Sequence, residues 1–175
     1  MRAIVVYHSK TGFTKKYAEW ISEVLTCNIV ELKKTDSSSL DSYDVVIFGG
    51  GLMAGQIGGL KKFKTIVGKL NKRLVVFATG ATPGEDKKIY EQTLNANFSE
   101  EEKKKVSYFY FQSGVNYENM GIFSKMMMKM LSAMLAKKKD ATPEELEMAK
   151  AIKNSSDFSR KEYIEPLVKY VRSIM

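Results

Sequence analysis

The sequence predicts an α/β fold: a three-layer sandwich whose five-stranded, mainly parallel sheet carries helices on both faces. Three observations lead there. Strand-like and helix-like segments alternate five times along the 175 residues, the pattern that winds a parallel sheet between two helical layers. The strand-like segments are continuous apolar runs, as strands buried on both faces must be. The length is that of one domain, and an apolar content of 44% is ample for its core. The expected organisation is a single domain over residues 1–175, with a helical insertion at about 114–157 before a C-terminal helix.

In chain order, residues 2–7 form a short β-branched run read as a buried strand. Phe13, Tyr17, Trp20, Ile21, Val24 and Leu25 then fall at helical spacing. Residues 28–32 make a weaker second strand, followed by a turn-rich Thr35-Asp36-Ser37-Ser38-Ser39 in which a long helix is not expected. Asp44-Val45-Val46-Ile47-Phe48 is the third strand, running into a glycine-rich loop, Gly49-Gly50-Gly51-Leu52-Met53-Ala54-Gly55. Leu60, Phe63, Ile66, Val67 and Leu70 mark the next helix, with Lys61, Lys62, Lys64 and Lys69 on its outer face. Residues 73–78 are the fourth strand. Its exit carries a helix-start signature, with Thr82 as N-cap, Pro83 at the first helical position and Glu85 closing a capping box. Ser99 and Glu102 stand in the same relation before a fifth strand at residues 106–111. In the insertion, Phe123, Met126, Met127, Met130, Leu131, Met134 and Leu135 share one helical face. Thr142-Pro143-Glu144-Glu145 opens a second short helix, and Ser159 with Glu162 caps the last one, Phe158 stapling toward Tyr163.

The chemistry concentrates where the first strand empties into the first helix. Such a junction gathers free backbone N–H groups and the positive end of a helix dipole, a natural anion site. Ser9, Thr11 and Thr14 add hydroxyl donors, and Gly12 lets the backbone approach closely. The run Ser9-Lys10-Thr11-Gly12-Phe13-Thr14 fits Ser/Thr-x-Thr-Gly-x-Thr and resembles the phosphate loop of the flavodoxins. That resemblance implies a flavodoxin-like sheet of strand order 2-1-3-4-5, and FMN bound beyond the carboxyl ends of the strands, at the switch point between strands one and three. On the family pattern Ser9, Lys10, Thr11, Gly12, Phe13 and Thr14 bind the phosphate. Gly50, Gly51, Leu52, Met53 and Ala54 face one side of the flavin, and Thr79, Gly80 and Ala81 face the other side and its pyrimidine edge. No catalytic residue is assigned, because the flavin itself performs the chemistry.

Three departures from the family pattern bear on function. Neither flavin-facing loop contains an aromatic residue, which favours two-electron traffic with a small acceptor over low-potential carriage; Tyr108, Tyr110 or Tyr117 are candidates to supply a ring from elsewhere. The net charge of +8 contrasts with the acidity of many flavodoxins, and an acid-free stretch between Asp44 and Glu85 holds six basic residues from Lys61 to Arg73. Positive charge near a reduced, anionic flavin implies a less negative reduction potential. The Met-rich insertion is similar in layout to the flavodoxin-like subset that includes menaquinone-dependent protoporphyrinogen dehydrogenase. The resemblance therefore implies an FMN-dependent redox protein, either an electron carrier serving a partner protein or an oxidoreductase acting on a quinone or similar small molecule. A module using the same fold to bind another phosphorylated ligand is the reading from a different class.

Other motifs give less. Gly49-Gly50-Gly51-Leu52-Met53-Ala54 also fits G-x-G-x-x-A, but no acid follows about twenty residues on to hold a ribose. No G-x-x-x-x-G-K-[ST] is present. Lysine runs such as Lys103-Lys104-Lys105 lack interleaved aromatics, so no nucleic-acid partner is expected. His8, the one histidine, reads as a solvated strand-end residue rather than a catalytic acid, and no Cys/His cluster indicates a metal. One cysteine, Cys27, suits a reducing cytoplasm and buried packing; no leader or membrane span is read from the sequence. The Met-rich face reads by default as core, with a lid, a peripheral membrane contact and a homodimer contact as the other readings.

Overall fold

A computed structural model describes residues 1–175 apart from 69, 71, 84–86, 139, 141, 143–153 and the side chain of Phe123. The chain divides into two compact units, Met1–Ser113 with Ser159–Met175, and Gly114–Phe158. In the first unit, strands β1 (Ala3–His8), β2 (Asn28–Glu31), β3 (Val45–Met53), β5 (Arg73–Gly80) and β6 (Val106–Gln112) form a parallel sheet in the order β2-β1-β3-β5-β6. This is the expected 2-1-3-4-5 arrangement. A short strand not foreseen from sequence, β4 (Gln56–Ile57), folds back antiparallel on β3.

Alternation along each strand explains the two buried faces. Ile4, Val6, Val46, Phe48, Val76 and Ala78 point to one side, where they meet Leu60, Phe63 and Val67 of helix α3 (Leu60–Val67). Ala3, Val5, Val45, Ile47, Val75 and Phe77 point to the other, against Tyr17, Ala18 and Ile21 of α1 (Phe13–Leu25) and Leu167, Val168 and Val171 of the C-terminal helix, α7 (Glu165–Ile174). Tyr17 ties the layers together: its hydroxyl donates to the Gln112 carbonyl and accepts from the Arg160 N–H, while its ring meets Trp20 edge-on.

Short helices fill the connections. Asp36 caps α2 (Ser37–Leu40) through a capping box with Ser39, a single turn consistent with the expectation of no long helix there. After α4 (Lys87–Asn97), the expected Ser99 and Glu102 box starts α5 (Glu100–Lys103). Glu85, expected to close the Thr82 box, lies outside the described residues. The last helix starts later than its sequence signature suggested. A 3-10 turn at Lys161–Ile164 precedes α7, no side chain caps either, and the Ser159 hydroxyl instead accepts from Lys16 Nζ at 2.9 Å. The expected staple residue, Phe158, is exposed.

In the second unit, Gly114–Val115 (β7) and Ser156–Asp157 (β8) pair antiparallel, and Ile122–Lys137 forms helix α6. A Cβ on Gly114 would lie 1.9 Å from the Ser156 carbonyl oxygen, which fixes glycine at this closure. The Met-rich face is not the core stripe expected. Met126, Met130, Leu131 and Met134 are exposed, while Ser132 is buried. The helix expected to open at Thr142 falls almost wholly outside the described residues.

Candidate functional site

Three segments end at the carboxyl edge of the sheet: residues 9–14 after β1, the distal half of β3, and residues 79–82 at the end of β5. The first makes the anion cradle. Gly12 begins α1 in the left-handed region, at φ 99°, and no side chain caps the helix. First-turn N–H groups have no acceptor within their own helix. The first turn of α1 carries no acid to compete for them, and the positive end of the helix dipole lies here. The Gly12 N–H donates to Ser9 Oγ at 3.2 Å, which closes the loop on its own hydroxyl. The backbone angle at Gly12 demands glycine although a Cβ would meet nothing within 4 Å.

Thr14 lies deeper. Its Oγ1 is 2.9 Å from Thr79 Oγ1, and both side chains are buried. A Cβ on Gly51 would stand 3.4 Å from Thr14 Oγ1 and 3.8 Å from Thr79 Oγ1. One residue from each of the three segments thus meets at a single point, with glycine keeping the space beside the paired hydroxyls clear.

The glycine run, expected as a loop, is strand. Gly49, Gly50, Gly51, Leu52 and Met53 all belong to β3, which continues to Ala54-Gly55, the two-residue turn into β4. The reason is close packing. A Cβ on Gly49 would lie 2.1 Å from Phe77 Cζ, and one on Gly50 would lie 2.5 Å from the Gly58 carbonyl oxygen. Ala54 and Gly55 both have positive φ, at 49° and 77°, the conformation of a type I′ hairpin turn. Met53 is 44% exposed, and Ala54 stands at the exposed tip.

Gly80 sits under an aromatic ring. A Cβ there would be 2.7 Å from the Tyr110 hydroxyl oxygen and 3.4 Å from Leu52 Cδ1, and that hydroxyl donates to the Thr82 carbonyl at 2.8 Å. Of the three tyrosines considered from sequence, Tyr110 therefore borders the exit of β5. Tyr108 is buried between Tyr90 and Phe98, and burial pushes its phenol well above the ordinary range. Ala81 is exposed beside Gly80, Lys10 is exposed, and Ser9, Thr11 and Phe13 are half-buried.

His8 is not simply solvated. It is half-buried at the end of β1, where Cβ atoms on Gly58 and Gly59 would come within 3.2 and 2.9 Å of its side chain. Burial lowers its pKa, and Lys10 and Lys62 lower it further against the opposing pull of Glu31. The adjacent glycines Gly58 and Gly59 are the sequence signal of this close approach. Cys27 belongs elsewhere; burial pushes its thiol up to about 11. Among the described residues, no group of three or more His, Cys, Asp or Glu side chains is placed to hold a metal ion, and no helix is long and apolar enough to cross a membrane.

The donor chemistry suits a compact anion at the α1 N-terminus, with backbone, Leu52 and Met53 offering an apolar flank. Residues 4–142 match a family model described as a flavodoxin domain. A protein of Methanocaldococcus jannaschii, described as uncharacterized, is 30% identical over 87 residues, which is 47% of this chain; the chain spans 57% of that relative's length. Among solved structures, the two-electron reduced flavodoxin of Megasphaera elsdenii aligns with 86% of this chain and 98% of its own, at 19% identity and a TM-score of 0.45. A flavoprotein in complex with FMN from Lactobacillus acidophilus aligns with 63% of this chain and 91% of its own, at 17% identity and a TM-score of 0.45.

Proposed function

The chain belongs to the flavodoxin domain family, and we propose that it is a flavoprotein that binds FMN at the carboxyl edge of its sheet and passes electrons through it. The observation that carries this is the meeting of an uncapped α1 N-terminus with the Thr14, Gly51 and Thr79 cluster. In this reading Ser9, Lys10, Thr11, Gly12, Phe13 and Thr14 hold the phosphate. Gly50, Gly51, Leu52, Met53 and Ala54 line one side of the flavin, and Thr79, Gly80 and Ala81 line its other side and pyrimidine edge. When bound, the flavin supplies reversible electron or hydride transfer. The protein's part is to anchor the anion, exclude water from the Thr14 and Thr79 hydroxyls and set the charge around the ring.

Leu52 and Met53 supply an aliphatic wall where many relatives have aromatic rings. A ring so flanked is accessible, which supports two-electron exchange with a small acceptor such as a quinone. Purified protein should be yellow, release FMN on denaturation, and rebind FMN with far greater affinity than riboflavin, since the phosphate provides the anchor. Protein that emerges colourless and does not bind added FMN, yet is stabilised by another phosphorylated ligand, would make it a binding module instead. Turnover with NAD(P)H and quinones then separates an oxidoreductase from a carrier.

A further inference from the structure

We propose that the outward face of α6 docks on an anionic lipid surface. This helix carries apolar side chains on its exposed side as well as on its half-buried side, where Met127, Met128 and Leu135 lie. Ser132 is 2% exposed, whereas Ile122, Met126, Met130 and Met134 are 89%, 59%, 66% and 66% exposed. These four recur every fourth residue, so they form one stripe along a helix of 16 residues, roughly 24 Å at 1.5 Å per residue. Leu131 adds a fifth exposed apolar side chain at one flank. Contiguous exposed apolar surface of this kind marks an interaction site rather than ordinary surface scatter.

Charge selects the occupant. Within α6 itself the charged residues are Lys125, Lys129 and Lys137, with no acid among them. Helical geometry puts Lys129 and Lys137 in the same outward arc as Ile122, Met126 and Met130, and both are exposed. A second copy of this face would oppose like charge to like charge, so self-association is disfavoured. Anionic headgroups complement the lysines, whose long stems let the ammonium groups reach the headgroups while the helix lies at the acyl boundary. Methionine is unbranched and adaptable, and suits a fluid surface that offers no fixed pocket. The helix is not long and apolar enough to span a bilayer, so it lies on the surface.

The test is sedimentation of the full-length protein with phosphatidylcholine vesicles, with and without phosphatidylglycerol, at low and high salt. Binding is expected to the anionic vesicles at low salt, released by salt, and absent from pure phosphatidylcholine. The combined variant Met126→Gln, Met130→Gln, Met134→Gln alters exposed positions only, and its partitioning should drop roughly tenfold or more. Lys129→Gln should reduce partitioning by about fivefold and flatten its salt dependence. Circular dichroism and flavin content, unchanged in both variants, separate loss of docking from loss of fold or of the proposed FMN function. Absence of wild-type association at low salt would overturn the proposal. So would association that the triple variant leaves intact, or a wild-type dimer that the triple variant dissolves.

Discussion

The hydroxyls of Thr14 and Thr79, separated by 65 positions in sequence, meet 2.9 Å apart in the buried base of the site. The pair joins the first turn of α1 to the end of β5, two of the three segments expected to surround one ligand. Thr79→Val preserves shape and removes one partner, leaving the Thr14 hydroxyl buried without its acceptor or donor. The expected cost is about 1–3 kcal/mol in urea unfolding of the cofactor-free protein, with weaker FMN binding measured by fluorescence quenching. A variant as stable as wild type would mean that the pair contributes nothing.

Gly49 has the tightest approach in the sheet core. A Cβ would fall 2.1 Å from Phe77 Cζ, with Phe77 itself fully buried. Gly49→Ala should therefore destabilise by about 1–3 kcal/mol or more through overpacking. Adding Phe77→Leu should recover part of that loss. If the double variant is simply the sum of two losses, the ring is not what Gly49 accommodates.

Much of this architecture was legible because it rests on local pattern. Both-face burial writes β1, β3, β5 and β6 as continuous apolar runs, and the α1 face from Phe13 to Leu25 and the Ser99 box follow helical rules directly. What escaped was set by distant packing. A glycine run looks like a loop when the ring of Phe77 and the backbone of Gly58 that require those glycines are invisible, so local pattern ends the third strand at Phe48 and gives no sign of the hairpin. Likewise Ser159 and Glu162 have the spacing of a capping box, but Lys16 claims the Ser159 hydroxyl. For the site, the hydroxyls and glycines could be named from sequence, whereas only the fold shows that Thr14 and Thr79 pair and that Tyr110, not Tyr108, borders Gly80. The Met-rich face of α6 is where local pattern says least about burial. Periodicity identifies a stripe without saying whether protein covers it.

Ala54 adopts φ 49°, in the left-handed region, at the first position of the β3–β4 turn. Asparagine followed by glycine is the preferred pair for such a turn, and alanine is strained there. Ala54→Asn should stabilise the protein by about 1 kcal/mol, raising Tm by roughly 2–4 °C. A lowered Tm in differential scanning calorimetry would show that Ala54 makes contacts worth more than the relieved strain.

His8 gives the stability a defined pH dependence. Its pKa is lowered from 6.5 in the folded protein, by burial first and then by Lys10 and Lys62, with Glu31 opposing. Above 6.5 both folded and unfolded forms hold it neutral, and it contributes no pH dependence. As pH falls below 6.5 the unfolded chain takes up the proton first, so stability declines until the folded-state pKa is reached. Urea midpoints measured across this window should fall with pH in the wild type, and less steeply in His8→Gln. Equal slopes would assign the loss to other groups.

The basic residues from Lys61 to Arg73 do not act alike on the proposed flavin. Arg73 begins β5 at the amino end of the sheet, opposite the site, and Lys64 is engaged by Glu102 at 2.7 Å. Lys10 and Lys62 are the lysines that depress the His8 pKa, so their field reaches the carboxyl edge of the sheet. Removing a positive charge near a group that gains electrons makes its reduction less favourable. Lys10→Gln and Lys62→Gln should each shift the two-electron potential of bound FMN to more negative values, by on the order of 10–20 mV at low ionic strength. Lys72→Gln, whose ammonium binds the Asp41 carbonyl, should leave it in place. Potentiometric titration across the three variants reads the difference. A strongly negative wild-type couple, or equal shifts in all three, would remove the local charge as the determinant.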